Sequence, residues 1–175
     1  MPMSDYMRRL RAKLGPDLLV APSAGVLVFD ERGRMLLARH AETDRWVIPG
    51  GCVEPDEEPA DAAVREVWEE TGLHVAPTRI LGLYGGPECH VRYRNGDEVS
   101  YLMVVFEARV IGGHPRPDGV EILETRWAAP AELAELPMAP WTRRLLGDVL
   151  ADRDRTHFVA PTWAPPGLDT RNPHR

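Results

Sequence analysis

Three glutamates stand close together near the middle of the chain, at Glu66, Glu69 and Glu70. Spacings of three, four and one residues place side chains on one side of a helix, so we expect the three carboxylates to share a face. Neighbouring like charges weaken a helix, and hard divalent cations such as Mg²⁺ offset the repulsion because they prefer carboxylate oxygens. The cluster therefore indicates a metal site. For such a cluster taken alone, a solvated acidic helix face is the alternative.

The residues around this cluster fill a longer pattern. The segment from Gly51 to Leu73 reads GCVEPDEEPADAAVREVWEETGL. It resembles the Nudix box, whose family pattern is G-x5-E-x7-R-E-U-x-E-E-x-G-U, where U is a bulky aliphatic residue. Every defined position is filled, by Gly51, Glu57, Arg65, Glu66, Val67, Glu69, Glu70, Gly72 and Leu73. A chance match of this kind is on the order of one in ten million.

The resemblance implies both a fold and a reaction. The implied fold is of the α/β class, a Nudix α/β/α sandwich around a mixed β-sheet. The implied reaction is Mg²⁺-dependent hydrolysis of the pyrophosphate bond in a nucleoside diphosphate linked to another moiety, with water attacking phosphorus. We therefore expect Mg²⁺ as cofactor, with Mn²⁺ as an alternative. The expected partner is a small nucleoside-diphosphate substrate, either ADP-ribose-like or a nucleotide.

The resemblance also implies roles for the box residues. It places the metal ligands at Glu66, Glu69 and Glu70, and a backbone carbonyl of Gly50 or Gly51 is expected to complete the coordination.

Two further box residues, Glu57 and Arg65, match positions whose usual role is bracing. Arg65 can pair with Glu69 one helical turn on, or with Glu57 in the preceding loop. The general base is left open between Glu66 and the downstream Glu121. Glu121 stands six residues before Trp127, like a metal-binding glutamate of MutT-like members, and an exposed residue without a role is the equal alternative.

Candidate substrate-binding residues are aromatic and arginine side chains near the predicted loops and strand ends. Aromatic rings can stack on a base, and arginines can bind phosphate or ribose, although packing in the core or exposure on a hairpin is the competing interpretation. The candidates are Trp46, Arg39, Tyr84, Arg92 and Tyr93.

The elements that must position these residues follow from hydrophobic periodicity and turn residues. The sequence predicts three regions. An amphipathic N-terminal helix capped by Ser4 lies in residues 1–16, a Nudix hydrolase domain spans residues 17–154, and a Pro-rich surface tail spans residues 155–175. In the domain, Pro59 and Gly72 bound a helix over 59–71. Strands are predicted over 23–30, over 34–40, within 78–110 and over 122–127. A loop is predicted through Trp46 to the glycines. Two further helices are predicted over 131–136 and 141–152.

Composition limits the function classes. A net charge of -6 disfavours a general nucleic-acid binder and an RNA-decapping role, because such proteins neutralise many phosphates. The only cysteines, Cys52 and Cys89, fit two free thiols. The chain lacks an apolar segment that could be a membrane span or signal peptide, so no membrane partner and a cytoplasmic location are expected. The first helix offers a surface for a homodimer.

Two other functions fit a Nudix-like chain. Isopentenyl-diphosphate isomerase has this fold and uses a cysteine and a glutamate, but neither cysteine here lies in a recognisable isomerase motif. A non-catalytic Nudix module that senses a nucleotide is the second alternative. Members of that kind often lose box glutamates, whereas all are present here. The sequence therefore favours a hydrolase.

Overall fold

The chain folds into one sheet with helices on both faces, and a computed structural model describes its residues 3–165. The helices are α1 (Asp5–Leu14), α2 (Pro59–Thr71) and α3 (Pro140–Ala151), and short 3-10 helices lie at Pro87–Cys89 and Pro130–Glu132. The strands are β1 (Leu19–Phe29), β2 (Met35–His40), β3 (Arg45–Val47), β4 (Gly50–Cys52), β5 (Leu73–Tyr84), β6 (His90–Arg92), β7 (Glu98–Gly113) and β8 (Ile122–Ala128).

The sheet is mixed, as the family resemblance predicts. Its central order is β3-β2-β1-β7-β5, with β4 added to β1, β6 to β7 and β8 to β2. The long β1–β7 pair is parallel, whereas the other pairs are antiparallel. Helix α2 covers one face and α3 the other, so the predicted α/β/α sandwich is confirmed.

The centre of β1 is buried on both faces. Val26 and Val28 pack in the core under α2, and Leu27 between them packs in the core under α3. Successive side chains of a strand point to opposite faces, so a continuous apolar run suits a strand covered on both sides. This central strand carries β4 along its edge and so fixes the position of the box glycines.

Helix α2 has the predicted bounds. Pro59 occupies its first turn, and Gly72 ends it in the left-handed conformation with φ 70°, donating its N–H to the Trp68 carbonyl. Ala63 and Val67 are fully buried against the sheet. This packing fixes the rotation of the helix and points Glu66 and Glu70 toward β4.

Two sequence-based assignments were wrong. The predicted loop from Trp46 to the glycines contains β3 and β4, because β2 and β1 supply hydrogen-bonding partners that the local sequence does not reveal. The helix predicted over 131–136 is a 3-10 turn at Pro130–Glu132. Pro137 ends this segment, and so short a helix lacks stability of its own.

The two ends of the described chain attach differently. Helix α1 has no buried residue, so its apolar side is not packed into the core of the domain. The tail makes an isolated β-bridge to β5: His157 donates its N–H to Leu81 O at 2.7 Å and accepts from the Leu83 N–H at 2.9 Å. Residues 166–175 of the predicted tail lie outside the described residues.

Within residues 3–165, no helix combines the length and the apolar character needed to cross a membrane.

Candidate active site

The acidic cluster lies between α2 and the glycine strand β4. Glu66 is 7% exposed and Glu70 is 3% exposed, which is rare for glutamates. Gly50 donates its N–H to Oε2 of Glu70 at 3.0 Å. The two carboxylates one helical turn apart are thus held inward, against the backbone of a strand that β1 keeps in place.

The two glycines of β4, Gly50 and Gly51, are required because other atoms approach their backbone closely. A Cβ at Gly51 would lie 2.5 Å from the carboxylate carbon and Oε1 of Glu66. Gly50 has φ 151°, and a Cβ there would lie 2.2 Å from the Ala24 carbonyl oxygen. A side chain at Gly51 would therefore fill the space that the Glu66 carboxylate occupies.

Arg65 braces the cluster. Its Nε and Nη2 donate to the two carboxylate oxygens of Glu57 at 2.8 and 2.9 Å. Its Nη1 donates to Glu66 at 2.7 Å and to Glu69 at 3.0 Å, and Nη2 also reaches the Cys52 carbonyl. The sequence left Glu57 and Glu69 as alternative partners, and the structure brings Arg65 to both.

Within residues 3–165, few positive charges lie at this site. One guanidinium serves Glu57, Glu66 and Glu69, while the hydrogen bond that Glu70 accepts in this part of the chain comes from a backbone N–H. Hydrogen bonds from Arg65 lower the pKa of Glu57. Burial raises the pKa of Glu66 to about 7. Burial, together with the charges of Glu66 and Glu121, raises the pKa of Glu70 well above its ordinary value.

This donor set fits a hard divalent cation. Within residues 3–165, the protein holds no ready-made group of three or more acidic, His or Cys side chains converging on one point. Arg65 instead engages one oxygen of Glu66 and one of Glu69. Buried carboxylate oxygens beside a glycine backbone are nevertheless the ligands that Mg²⁺ prefers, and a cation there would supply the missing charge.

Glu121 lies near the cluster and is partly exposed. Its side chain is 33% exposed, and its Oε1 lies 3.6 Å from Nε2 of His40. Its negative charge contributes to raising the pKa of both Glu66 and Glu70, so it stands near them. The sequence indicated Glu121 as a candidate but not His40. His40 ends a strand, and no motif in the sequence marks it as a site residue.

Two tyrosines and a cysteine lie near Glu121. The hydroxyls of Tyr93 and Tyr101 are hydrogen-bonded to each other. Burial raises the pKa of Tyr93, and the charges of Cys52 and Glu121 add to the effect. Burial likewise raises the pKa of the Cys52 thiol to about 11, with contributions from Glu66 and Glu121. The sequence did not identify Tyr101 or Cys52 as site residues. Tyr101 begins an apolar run, which indicates only a strand.

The other candidate substrate residues are engaged elsewhere. Trp46 and Tyr84, each 6% exposed, pack in the core on the α3 side, and the Tyr84 hydroxyl has no hydrogen-bond partner among the described residues. Arg39 pairs with Asp44 and Glu124. The exposed Arg92 pairs with Glu98 at 3.6 Å. Of the five candidates, Tyr93 is the one that the structure brings near Glu121.

Comparison with known proteins gives a consistent result. The family model described as the NUDIX domain matches residues 19–149. A MutT-like protein of Streptomyces ambofaciens is 32% identical over 160 residues, which cover 88% of this chain and 96% of the relative. A protein of Bacillus subtilis (strain 168) named "Putative 8-oxo-dGTP diphosphatase" is 34% identical over 125 residues, covering 71% of this chain and 76% of the relative.

The fold is shared with solved structures as well. The crystal structure of a MutT protein from Methanosarcina mazei Go1 superposes with a TM-score of 0.64 at 24% identity, covering 79% of this chain and 99% of that one. At that identity the similarity concerns the fold alone. The family match over residues 19–149 includes strands β1 to β8, the box and most of α3. The chain therefore belongs to the Nudix family, as a pyrophosphohydrolase that acts on derivatives of nucleoside diphosphates.

Proposed function

We propose that the protein hydrolyses, with Mg²⁺, the pyrophosphate bond of a nucleoside diphosphate linked to another moiety. The observation that carries the proposal is the burial of Glu66 and Glu70 against the β4 glycines, where Arg65 pairs with Glu66 and a backbone N–H bonds Glu70. Isolated buried carboxylates are costly, so a site with this shortage of positive charge fits a cation and an anionic substrate together.

Glu66, Glu69 and Glu70, with a carbonyl of Gly50 or Gly51, would hold the metal. When bound, the ion offsets the charge that develops on the phosphate oxygens and lowers the pKa of a bound water. Arg65 keeps the carboxylates of Glu66 and Glu69 in place through hydrogen bonds of 2.7 and 3.0 Å. Mn²⁺ fits the same oxygen donors.

A carboxylate of the chain would accept the proton of the attacking water. A bond forms between the water oxygen and phosphorus, the bridging P–O bond breaks, and its electron pair leaves with the departing phosphate. Glu66 and Glu121 are the candidates for the base. Glu121 has the better access of the two, since its side chain is 33% exposed and that of Glu66 is 10% exposed.

The substrate class includes nucleotides and ADP-ribose-like compounds. The name of the Bacillus subtilis relative refers to an oxidised nucleoside triphosphate, which supports including such substrates. Tyr93 and Tyr101 offer hydroxyls and ring faces for the part of the substrate that is not phosphate.

The test is hydrolysis across a substrate panel with Mg²⁺, with Mn²⁺ and with a chelator. The panel contains ADP-ribose, NADH, sugar nucleotides, dinucleoside polyphosphates and oxidised nucleoside triphosphates, and the product measured is the nucleoside monophosphate. We expect release that stops when the metal is removed. Tight binding without turnover across the panel would favour the nucleotide-sensing alternative, and turnover in the chelator would refute the metal requirement.

A further inference from the structure

Arg11 joins helix α1 to the rest of the protein. Although the helix has no buried residue, the Arg11 side chain is only 8% exposed. Its guanidinium donates to the carbonyls of Asp17 at 2.6 Å and Glu98 at 2.7 Å, and to that of Gly15 at 3.1 Å. Its Nε lies 3.6 Å from the carboxylate of Asp97. A single side chain thus holds several acceptors, which the rigid fork of arginine permits.

Two of these partners, Asp97 and Glu98, end the turn between β6 and β7. The Tyr93 N–H donates to the Asp97 carbonyl at 2.9 Å, and the Gly96 N–H donates to the Tyr93 carbonyl at 3.0 Å. The Glu98 N–H donates to the Pro16 carbonyl at 3.2 Å, so the linker after α1 also reaches this point. Arg11 therefore fixes the end of the turn that carries Tyr93.

The opposite side of the same turn reaches the acidic site. Tyr93 is hydrogen-bonded to Tyr101. The next residue, Arg94, donates its backbone N–H to Oε1 of Glu42 at 2.7 Å. Ala41, the neighbour of Glu42, donates its N–H to the Glu121 carbonyl at 2.7 Å, so the turn lies close to Glu121. The turn thus lies between α1 on one side and the site on the other, and a shift at either attachment moves the Tyr93 hydroxyl.

We propose that Arg11 is a positioning residue for the substrate: it holds the β6–β7 turn so that Tyr93 contacts the non-phosphate moiety of the nucleoside diphosphate. The inference rests on the proposed function, and it places a determinant of substrate binding before residue 19, where the Nudix match begins. The glutamates proposed to hold the metal lie on α2, whereas Arg11 bonds the linker after α1 and the end of the β6–β7 turn. Loss of Arg11 is therefore expected to affect binding and to leave the chemical step unchanged.

The experiment compares Arg11→Ala with Arg8→Ala on the best-hydrolysed substrate of the panel. Arg8 is the matched control, because it lies on the same helix, carries the same charge, is 63% exposed and pairs with Asp5 of that helix. We expect Arg11→Ala to raise KM about tenfold with kcat within about twofold of wild type, and Arg8→Ala to leave both constants unchanged. Arg11→Met keeps the aliphatic stem and replaces the alanine variant if that variant does not fold.

A double-mutant cycle with Tyr93→Phe tests whether Arg11 acts through Tyr93 or only stabilises the fold. If Arg11 acts through Tyr93, the second substitution adds less to KM than it does in the wild-type background. Full additivity, an unchanged KM in the Arg11 variant, or an equal rise in the Arg8 variant would overturn the proposal. A wild-type protein that hydrolyses nothing in the panel contradicts the proposed function itself, whereas these outcomes concern Arg11 in an active enzyme.

Discussion

Two clusters of arginine and glutamate in this protein have opposite charge balances. At the sheet, Glu107 accepts hydrogen bonds from Arg79 and Arg153, both at 2.8 Å, so two cations serve one anion. Burial acts to raise the pKa of Glu107, but these hydrogen bonds outweigh it and lower the pKa. At the box, Arg65 serves three carboxylates, and the fourth, Glu70, pairs with no cation among residues 3–165. There the pKa values of Glu66 and Glu70 are raised.

The difference separates an ion cluster that supports the fold from one arranged for a ligand. A buried acid with its own cations stabilises the structure it joins, because its charged form is satisfied without any other partner. Acids buried without enough cations cost stability, and such an arrangement is typical of sites whose missing charge is supplied by a ligand. Substitution of one acid from each cluster therefore has opposite consequences.

The largest expected effect is the loss of activity when a box acid becomes neutral. Glu70→Gln and Glu66→Gln are each expected to lower kcat a hundredfold or more, because the charge that holds the metal is removed. Without metal, their unfolding free energy is expected to stay equal to that of wild type or to rise, since a buried charge is lost. Steady-state kinetics and urea unfolding in a chelator measure the two quantities.

Glu107→Gln is the control for these variants, because it makes the same change from Glu to Gln in the other cluster. Its kcat is expected to remain within about twofold of wild type. Turnover like that of wild type in both box variants would remove the assignment of the box acids.

The second expected effect is a pH-dependent loss of stability in Glu107→Gln, of about 2 kcal/mol at neutral pH. A carboxyl whose folded pKa is lowered contributes stability that is complete above its unfolded pKa, near 4.5, and is lost as pH falls through the folded pKa. The gap between wild type and the variant should therefore be constant above about pH 5 and shrink below it. Urea unfolding from about pH 7 to about pH 3.5 measures it. A gap that widens in acid would contradict the lowered pKa.

How far the sequence predicts this molecule depends on the range of the interactions. Helix α2 was predicted to the residue, because Pro59, Gly72 and the apolar stripe are local signals. The pairing of Arg65 with Glu57 and Glu69 was also foreseen, since all three lie in one motif. Strand β4 was not, because its pairing with β1 depends on residues far away in sequence.

The residues that we propose to contact the substrate were the least predictable part of the candidate site. Trp46, Tyr84 and Tyr93 were indistinguishable as aromatic residues near predicted strand ends. Packing against α3 buries the first two in the core, and only tertiary structure shows that. Tyr101 reaches the site because β7 lies parallel to β1 and next to β6, an arrangement that the local pattern does not encode.

The smallest expected effect tests redundancy in the Glu107 cluster. Arg153 is 46% exposed and also lies 3.8 Å above the Phe29 ring, so Arg153→Met should cost only about 0.5 kcal/mol while Arg79 still serves Glu107. Removing Arg79 as well leaves the carboxylate without a cation, so the double variant should lose more than the sum of the two single changes. Urea unfolding of the three variants measures this coupling. Strict additivity would mean that the two arginines do not share Glu107, and the contrast with the single arginine of the box would then lose its physical basis.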